Sequence, residues 1–136
     1  MKNKEILVTG GCGFIGSHLV EMLVKNGNKV ICFDRYNPNS HWGWLENSDV
    51  KDDIEVILGD IRDFDSVYDS LKGVELVFHL AALIGIPYSY ISPLAYIRTN
   101  IEGTYNVLES TRLHGTDQVI TTSTSETYGT AQYVPI

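Results

Sequence analysis

The stretch "TGGCGFIGS", Thr9 to Ser17, decides how this chain is read. It follows the apolar run "EILVTG" (Glu5–Gly10) directly. It then opens a segment, Phe14 to Lys25, in which Ile15, Leu19, Met22 and Leu23 recur at helical spacing before Asn26 and Gly27. A short, continuously apolar run suits a strand buried on both faces of a sheet. Gly11, Gly13 and Gly16 fit G-x-G-x-x-G, while Gly10, Gly13 and Gly16 fit G-x-x-G-x-x-G. Among 12 glycines a bare pattern says little, but a strand before it and an amphipathic helix after it supply the context in which such glycines act. A residue without Cβ lets the backbone turn tightly and lets a pyrophosphate approach the free N–H groups of the helix start, near Phe14 and Ile15. Gly16 would let the helix lie close on the strand.

Outward from this motif, strands and helices alternate. "KVICFD" (29–34), "IEVILGD" (54–60), "VELVFHLA" (74–81) and "QVITTST" (118–124) read as further strands. Helices are expected over Asp63–Lys72, closed by Gly73, and from about Pro93 to His114, with Gly115 beyond its end. Strand–helix–strand units of this length imply parallel pairing and right-handed crossovers. The expectation is an α/β fold: the amino-terminal portion, about five strands, of a doubly wound parallel Rossmann sheet. The irregular connection is Tyr36–Asp53, where a short helix around Trp42–Asn47 fits. Its length suits either a functional segment or a surface loop pinned by Trp42 and Trp44.

Composition narrows the function classes. With 136 residues, 43% hydrophobic and 20% charged, the chain suits one globular domain. Its 17 Asp and Glu against 10 Lys and Arg, net charge −7, argue against a nucleic-acid binder, which needs a basic surface. No apolar run approaches the ~20 residues of a membrane span, and the amino terminus resembles no signal peptide. Cys12 and Cys32 are too few and too distant in sequence to suggest a disulfide framework or a metal site. A cytoplasmic protein with two reduced thiols is expected.

In such a sheet, ligands sit at the carboxyl ends of the strands. The glycine loop, Asp34, Asp60 and Ile61, "HLAA" with Ala81 and Ala82, and "STSE" all fall at such ends. Asp34, 18 residues after Gly16, can accept hydrogen bonds from adenosine ribose hydroxyls and would repel a 2′-phosphate, favouring NAD over NADP. Arg35 beside it is the feature that would favour NADP if it pointed inward. Asp60 is expected at the adenine edge, with helix capping as its plainer role.

Taken together, "TGGCGFIGS", "GDIRD", "HLAA", "TNIEGTYNVLE" and "STSETYG" resemble the extended short-chain dehydrogenase/reductase family of NAD-dependent nucleotide-sugar epimerases and dehydratases. The resemblance implies NAD as cofactor and oxidation of a sugar at C4. It implies that Thr124 hydrogen-bonds the sugar 4-hydroxyl and that Glu126 takes the C5 proton, as in 4,6-dehydratases. Ser125 stands where glucose-type dehydratases carry Asp. Mannose-type dehydratases and UDP-glucuronate decarboxylases share the Thr-Ser-Glu order. "NSHWGWLE", "AALIGIPYSYISPLAYIRTN" and "YGTAQYVPI" look most like bacterial UDP- or GDP-N-acetylglucosamine 4,6-dehydratases of legionaminic-acid-type pathways. On that likeness Tyr88 and Ser89, in the loop after strand four, are substrate-side candidates, with loop packing as the alternative. The helix carrying Asn100 and Gly103 would form a homodimer interface.

The family's Tyr-x-x-x-Lys follows the Ser/Thr motif, but Tyr128 is followed at that distance by Gln132. Tyr68 and Lys72 have the spacing on the wrong helix, and are read as an exposed or half-packed pair. Residues 1–136 are therefore expected to be the NAD-binding part of a longer enzyme, without the substrate domain and inactive alone. A 4-epimerase, a UDP-glucuronate decarboxylase or a non-catalytic NAD(H)-sensing module are the alternatives.

Overall fold

The computed structural model describes residues 2–133; Val134, Pro135 and Ile136, the end of "YGTAQYVPI", lie outside them. Five parallel strands, β1 (Glu5–Thr9), β2 (Lys29–Arg35), β3 (Ile54–Gly59), β4 (Leu76–His79) and β5 (Gln118–Thr121), form one sheet in the order β3-β2-β1-β4-β5. The chain builds outward from β1 to β3, then crosses to the other side of β1 for β4. The crevice at that reversal is the natural ligand position of a doubly wound sheet.

Ile6, Leu7 and Val8 of β1 are fully buried, as the apolar run requires. Each sheet face has its own core. On one, Ile6, Val8, Val30 and Cys32 meet Val20 and Leu23 of α1 (Phe14–Lys25), together with Leu45. On the other, Leu7, Ile31, Phe33 and Val77 meet Val67 and Leu71, from α2 (Phe64–Ser70) and its cap, and Val107 of α5 (Gly103–His114).

The register aligns the carboxyl ends. Thr9 pairs with Phe33 and with His79, and His79 pairs with Thr121. Gly10, Asp34, Leu80 and Thr122 therefore sit at one sheet edge.

Four expectations change in detail. The fifth strand ends at Thr121 rather than Thr124, because its one neighbour β4 ends at His79, the partner of Thr121. The long helix begins as α4 (Pro93–Tyr96), continues as a π-helical segment, Ile97–Glu102, and becomes α5. Tyr88 and Ser89 lie on a short helix, α3 (Ile86–Ile91), started by Pro87 in its first turn, rather than in a loop. Helix α2 ends at Ser70 with Leu71 as cap, so Lys72 falls outside it and shares no helix face with Tyr68. The Tyr68 ring packs on His114 with centroids 4.2 Å apart, while Lys72 pairs with Asp69 at 2.9 Å. That pair is structural, as expected.

Candidate functional site

The glycine loop is built by close approach. Gly10 adopts φ +73°, a left-handed conformation that favours glycine, and a Cβ there would stand 3.0 Å from the backbone N of Ala81. A Cβ on Gly16 would lie 2.7 Å from the Cα of Gly11. Helix α1 thus rests directly on the loop. Its first turn has Gly13 as N-cap, no side-chain cap and no acidic residue. The N–H groups of Phe14, Ile15 and Gly16 precede the first intrahelical bond, donated by Ser17 to the carbonyl of Gly13 at 2.9 Å. An open cradle of backbone donors at a positive dipole end suits a pyrophosphate. Gly13, Phe14 and Ile15 are exposed, so a ligand can reach them.

Asp34 closes one side. Its Oδ2 accepts from the N–H of Cys12 at 2.8 Å and its Oδ1 from the N–H of Arg35 at 2.7 Å. The carboxylate is pinned to the loop by one oxygen and retains lone pairs for ribose hydroxyls. Asp60 is held by Arg62, whose Nε stands 2.9 Å from Oδ1; this bond and the Arg62 backbone N–H keep its carboxyl below the usual range, against a smaller opposing effect of burial. Helix capping belongs to Asp63, which accepts from the N–H of Asp65 at 3.2 Å. The Ile61 side chain is buried, packs against Gly103, and its carbonyl accepts from Asn106 at 3.0 Å. What Ile61 can offer a ligand is backbone alone.

Ala81 and Ala82 follow β4. The N–H groups of Leu80 and Ala81 both donate to the hydroxyl oxygen of Thr9 at 3.2 Å, which locks this backbone against the glycine loop. Further on, Leu83 is gripped by Asn100: its N–H donates to Oδ1, and its carbonyl accepts from Nδ2, both at 2.8 Å. Asn100 therefore faces the fold from within the π-helical segment. Gly103 also faces inward, against Ile61.

Thr124, Ser125 and Glu126 share one turn. A 3₁₀ turn covers Ser125–Tyr128, and Thr124 caps it, its hydroxyl oxygen accepting from the N–H of Glu126 at 3.3 Å. All three side chains are exposed and follow β5 at the same sheet edge as the glycine loop. Ser89 turns its hydroxyl onto the Ile86 carbonyl at 2.7 Å, and the Tyr88 ring lies 6.1 Å from that of Tyr96. The structure thus brings the glycine loop, Asp34 and Ala81 together, and places the Thr124 turn on the same edge.

The Tyr36–Asp53 connection carries two 3₁₀ turns, Gly43–Asn47 and Lys51–Asp53. Leu45 anchors it in the core, Trp42 packs beside it, and the N–H of Trp44 donates to the Cys12 carbonyl at 3.0 Å. The exposed Trp44 ring meets Phe14 edge-on at 5.3 Å. The connection is both packed and tied to the glycine loop. Sequence reasoning missed Trp44 in this role, and it missed Thr9 and Asn100 as backbone locks. A hollow of about 430 Å³ lies at the opposite ends of the strands, where Lys29 pairs with Glu5 at 2.7 Å; it has no part in this site.

A family model described as GDP-mannose 4,6 dehydratase matches residues 7–136. The UDP-N-acetyl-alpha-D-glucosaminuronate decarboxylase of Bacillus cytotoxicus is 39% identical over 127 residues, 93% of this chain and 38% of that protein. UDP-N-acetylglucosamine 4-epimerase from Methanobrevibacter ruminantium M1, solved in complex with UDP-N-acetylmuramic acid, has TM-score 0.85 and 36% identity, covering 100% of this chain and 43% of its own. UDP-glucose-4-epimerase from Stenotrophomonas maltophila, solved with bound NAD and formylated UDP-arabinopyranose, has TM-score 0.87 and 27% identity over 98% of this chain and 41% of its own. The chain spans about two fifths of the length of these relatives. On the match to the family model and the 39% identity of a curated relative, the chain belongs to the NAD-dependent epimerase/dehydratase family.

Proposed function

We propose that this chain is the NAD-binding part of a nucleotide-sugar 4,6-dehydratase acting on UDP- or GDP-N-acetylglucosamine. The observation that carries the reading is Glu126, exposed in one turn with Thr124 at the ligand edge of the sheet. When bound, NAD accepts the hydride of sugar C4 and returns it. The donors at the start of α1 hold the pyrophosphate, and Asp34 holds the adenosine ribose. Ala81 and Ala82, with no side chain beyond Cβ, let the cofactor lie against the backbone. Thr124 would donate to the sugar oxygen at C4. With C4 a ketone the C5 proton is acidified, and the Glu126 carboxylate would take it as general base while water leaves C6. Ser125 cannot serve as a carboxylic acid, so in this chemistry the C6 oxygen draws its proton from another group. Tyr88 and Ser89 are proposed on the substrate side through the exposed Tyr88 ring.

The chain spans about two fifths of its relatives' length, and no Tyr-x-x-x-Lys follows Thr124 within these 136 residues. The 136-residue chain is therefore expected to bind NAD and leave sugar nucleotides unchanged. A homodimer is proposed through the helix that includes Asn100. Its exposed side is Ile97, Ile101, Tyr105 and Leu108, while Asn100 and Gly103 face inward. Among the described residues no helix is long and apolar enough to cross a membrane. Two free, buried thiols fit a cytoplasmic setting.

A second reading, a nucleotide-sugar decarboxylase, is favoured by the Bacillus cytotoxicus relative and the shared Thr-Ser-Glu order. Product analysis of the full-length protein separates the two. A 4-keto-6-deoxy sugar from UDP-N-acetylglucosamine supports the dehydratase. Carbon dioxide from the corresponding uronic acid, or an epimer with its C6 hydroxyl intact, overturns it.

A further inference from the structure

Cys12 and Cys32 look unrelated in sequence, yet the parallel pairing of β1 with β2 brings them together. Cys32 lies opposite Val8 in the register, and the glycine loop folds Cys12 back over that pair. Their Sγ atoms stand 3.6 Å apart, and both residues are buried. A carboxylate oxygen of Asp34 completes a cluster whose three ligand atoms all lie within 4.8 Å of one another.

We propose that Cys12, Cys32 and Asp34 form a site for a soft divalent cation of the zinc or cadmium kind, and that its occupation and NAD binding exclude each other. A tetrahedral ion with metal–sulfur bonds of about 2.3 Å needs its two sulfurs about 3.8 Å apart. The pair already spans nearly that distance. Three ligands from the chain leave one tetrahedral position for water.

The surroundings hold the ligands in place. The Cys12 N–H bonds to Asp34 Oδ2 at 2.8 Å, which couples one thiol to the carboxylate. The Trp44 N–H holds the Cys12 carbonyl from the other side at 3.0 Å. Gly11 leaves open the space that Cys32 fills, since a Cβ there would overlap the sulfur and stand 3.2 Å from the Cys32 Cβ. The hydrogen bond with Cys12, and then burial, hold the Cys32 thiol far above its ordinary range. The Cys32 thiol is therefore inert as a nucleophile, and it is the cation's charge that would displace the protons. The balance is one divalent ion, two thiols and one carboxylate giving a bis-thiolate, carboxylate-bound ion and two released protons.

Exclusion follows from Asp34, and this part rests on its reading as the ribose partner. With one Asp34 oxygen held by the Cys12 N–H and the ion drawing on the carboxylate's charge, Asp34 has less to offer the ribose hydroxyls.

Cadmium is the probe, because its thiolate bonds absorb in the ultraviolet. NAD affinity of the metal-free chain is measured first by calorimetry, so that failure to bind NAD is recognised separately. Titration with cadmium is expected to saturate at one equivalent, to release about two protons, and to weaken NAD binding at least tenfold. Cys32→Ser and Cys12→Ser should each abolish the one-equivalent band; Cys12, in the loop, serves if the strand variant does not fold. Absence of the band, or its survival in Cys12→Ser, overturns the site. A band that forms with NAD affinity unchanged overturns the exclusion.

Discussion

Thr9 and His79, opposite each other on β1 and β4, are joined by a hydrogen bond of 2.7 Å from the threonine hydroxyl to Nδ1 of the ring. The direction follows from the neighbours. The Thr104 hydroxyl donates to the Asn100 carbonyl at 2.8 Å, so it can only accept from Nε2, which stands 3.0 Å away. Nε2 therefore carries the proton and Nδ1 accepts. The Thr9 oxygen already receives the N–H groups of Leu80 and Ala81, leaving no lone pair for a second ring proton. One neutral imidazole thus ties the glycine strand, the Ala81 backbone and the Asn100 helix together.

Acid sensitivity follows from this arrangement. Burial holds His79 below its ordinary value of 6.5, so on acidification the unfolded chain takes up the proton first. The ring contributes stability that is fully present above about pH 6.5 and is lost as pH falls toward the folded-state value. Urea unfolding between neutral and mildly acid pH is expected to show this loss. His79→Gln should flatten it and cost about 1–3 kcal/mol at neutral pH through polar groups left unpaired. An unchanged profile in the variant would assign the sensitivity to other groups.

The two glycines that flank the helix start should separate folding from binding. A Cβ at Gly16 meets only backbone, including the Gly11 Cα at 2.7 Å, and backbone cannot step aside. Gly16→Ala is expected to lower stability by about 1–3 kcal/mol and NAD affinity with it. At Gly13 the nearest atom is the Gly10 carbonyl oxygen at 3.2 Å, and the residue is exposed. Gly13→Ala should leave the thermal midpoint within a few degrees while weakening NAD about tenfold or more, or ~1.4 kcal/mol, because the methyl occupies the anion's side of the loop. Thermal unfolding and calorimetry on both variants check this.

Asp34 bears on which dinucleotide is taken. Asp34→Asn keeps an acceptor for the Cys12 N–H but removes the charge that repels a 2′-phosphate. NAD affinity should fall about tenfold and the preference for NAD over NADP should shrink by at least as much. Fluorescence titration with both reduced cofactors measures it. If the unmodified chain already prefers NADP, Arg35 rather than Asp34 decides the selectivity.

The parts of this architecture that were legible in the sequence are those in which local pattern and burial agree. Strands β1 and β2 are buried on both faces, so they read as unbroken apolar runs. Helix α1 is announced by its glycines. The π-helical segment is different, because Asn100 is drawn to Leu83, 17 residues away, and helical periodicity says nothing of that bond. Helix α3 was hidden because Ile86 and Ile91 are exposed and show no buried stripe. The approach of Cys12 to Cys32 depends on strand register and loop path together, which spacing along the chain does not express. The early end of β5 was not legible either, since it follows from β4 stopping at His79 rather than from any residue of β5 itself.

Self-association has its own test. Ile97, Ile101 and Tyr105 recur every four residues on the exposed side of the helix that runs through Asn100. Ile101→Asp places a charge in the centre of that stripe and should cost the isolated fold little, since the side chain is exposed. In the full-length protein it is expected to weaken dimerisation by about 2 kcal/mol or more, as sedimentation equilibrium would read. A dimer of unchanged affinity would move the interface elsewhere.

As the proposed general base, Glu126 should separate oxidation from elimination. Its carboxylate is exposed beyond the turn that Thr124 caps, and Glu126→Gln keeps the backbone N–H that Thr124 accepts. The amide has no basic oxygen for the C5 proton, yet the hydride step at C4 does not need one. In the full-length protein the variant should therefore still reduce bound NAD on mixing with sugar nucleotide, seen as NADH absorbance. Formation of the 4-keto-6-deoxy product should fall about 100-fold or more, as expected for loss of a general base. Exchange of the C5 hydrogen with deuterated solvent should fall in parallel. A variant that loses the NADH signal and the product together would instead make Glu126 a substrate-binding group, and one that keeps both would remove it from the reaction.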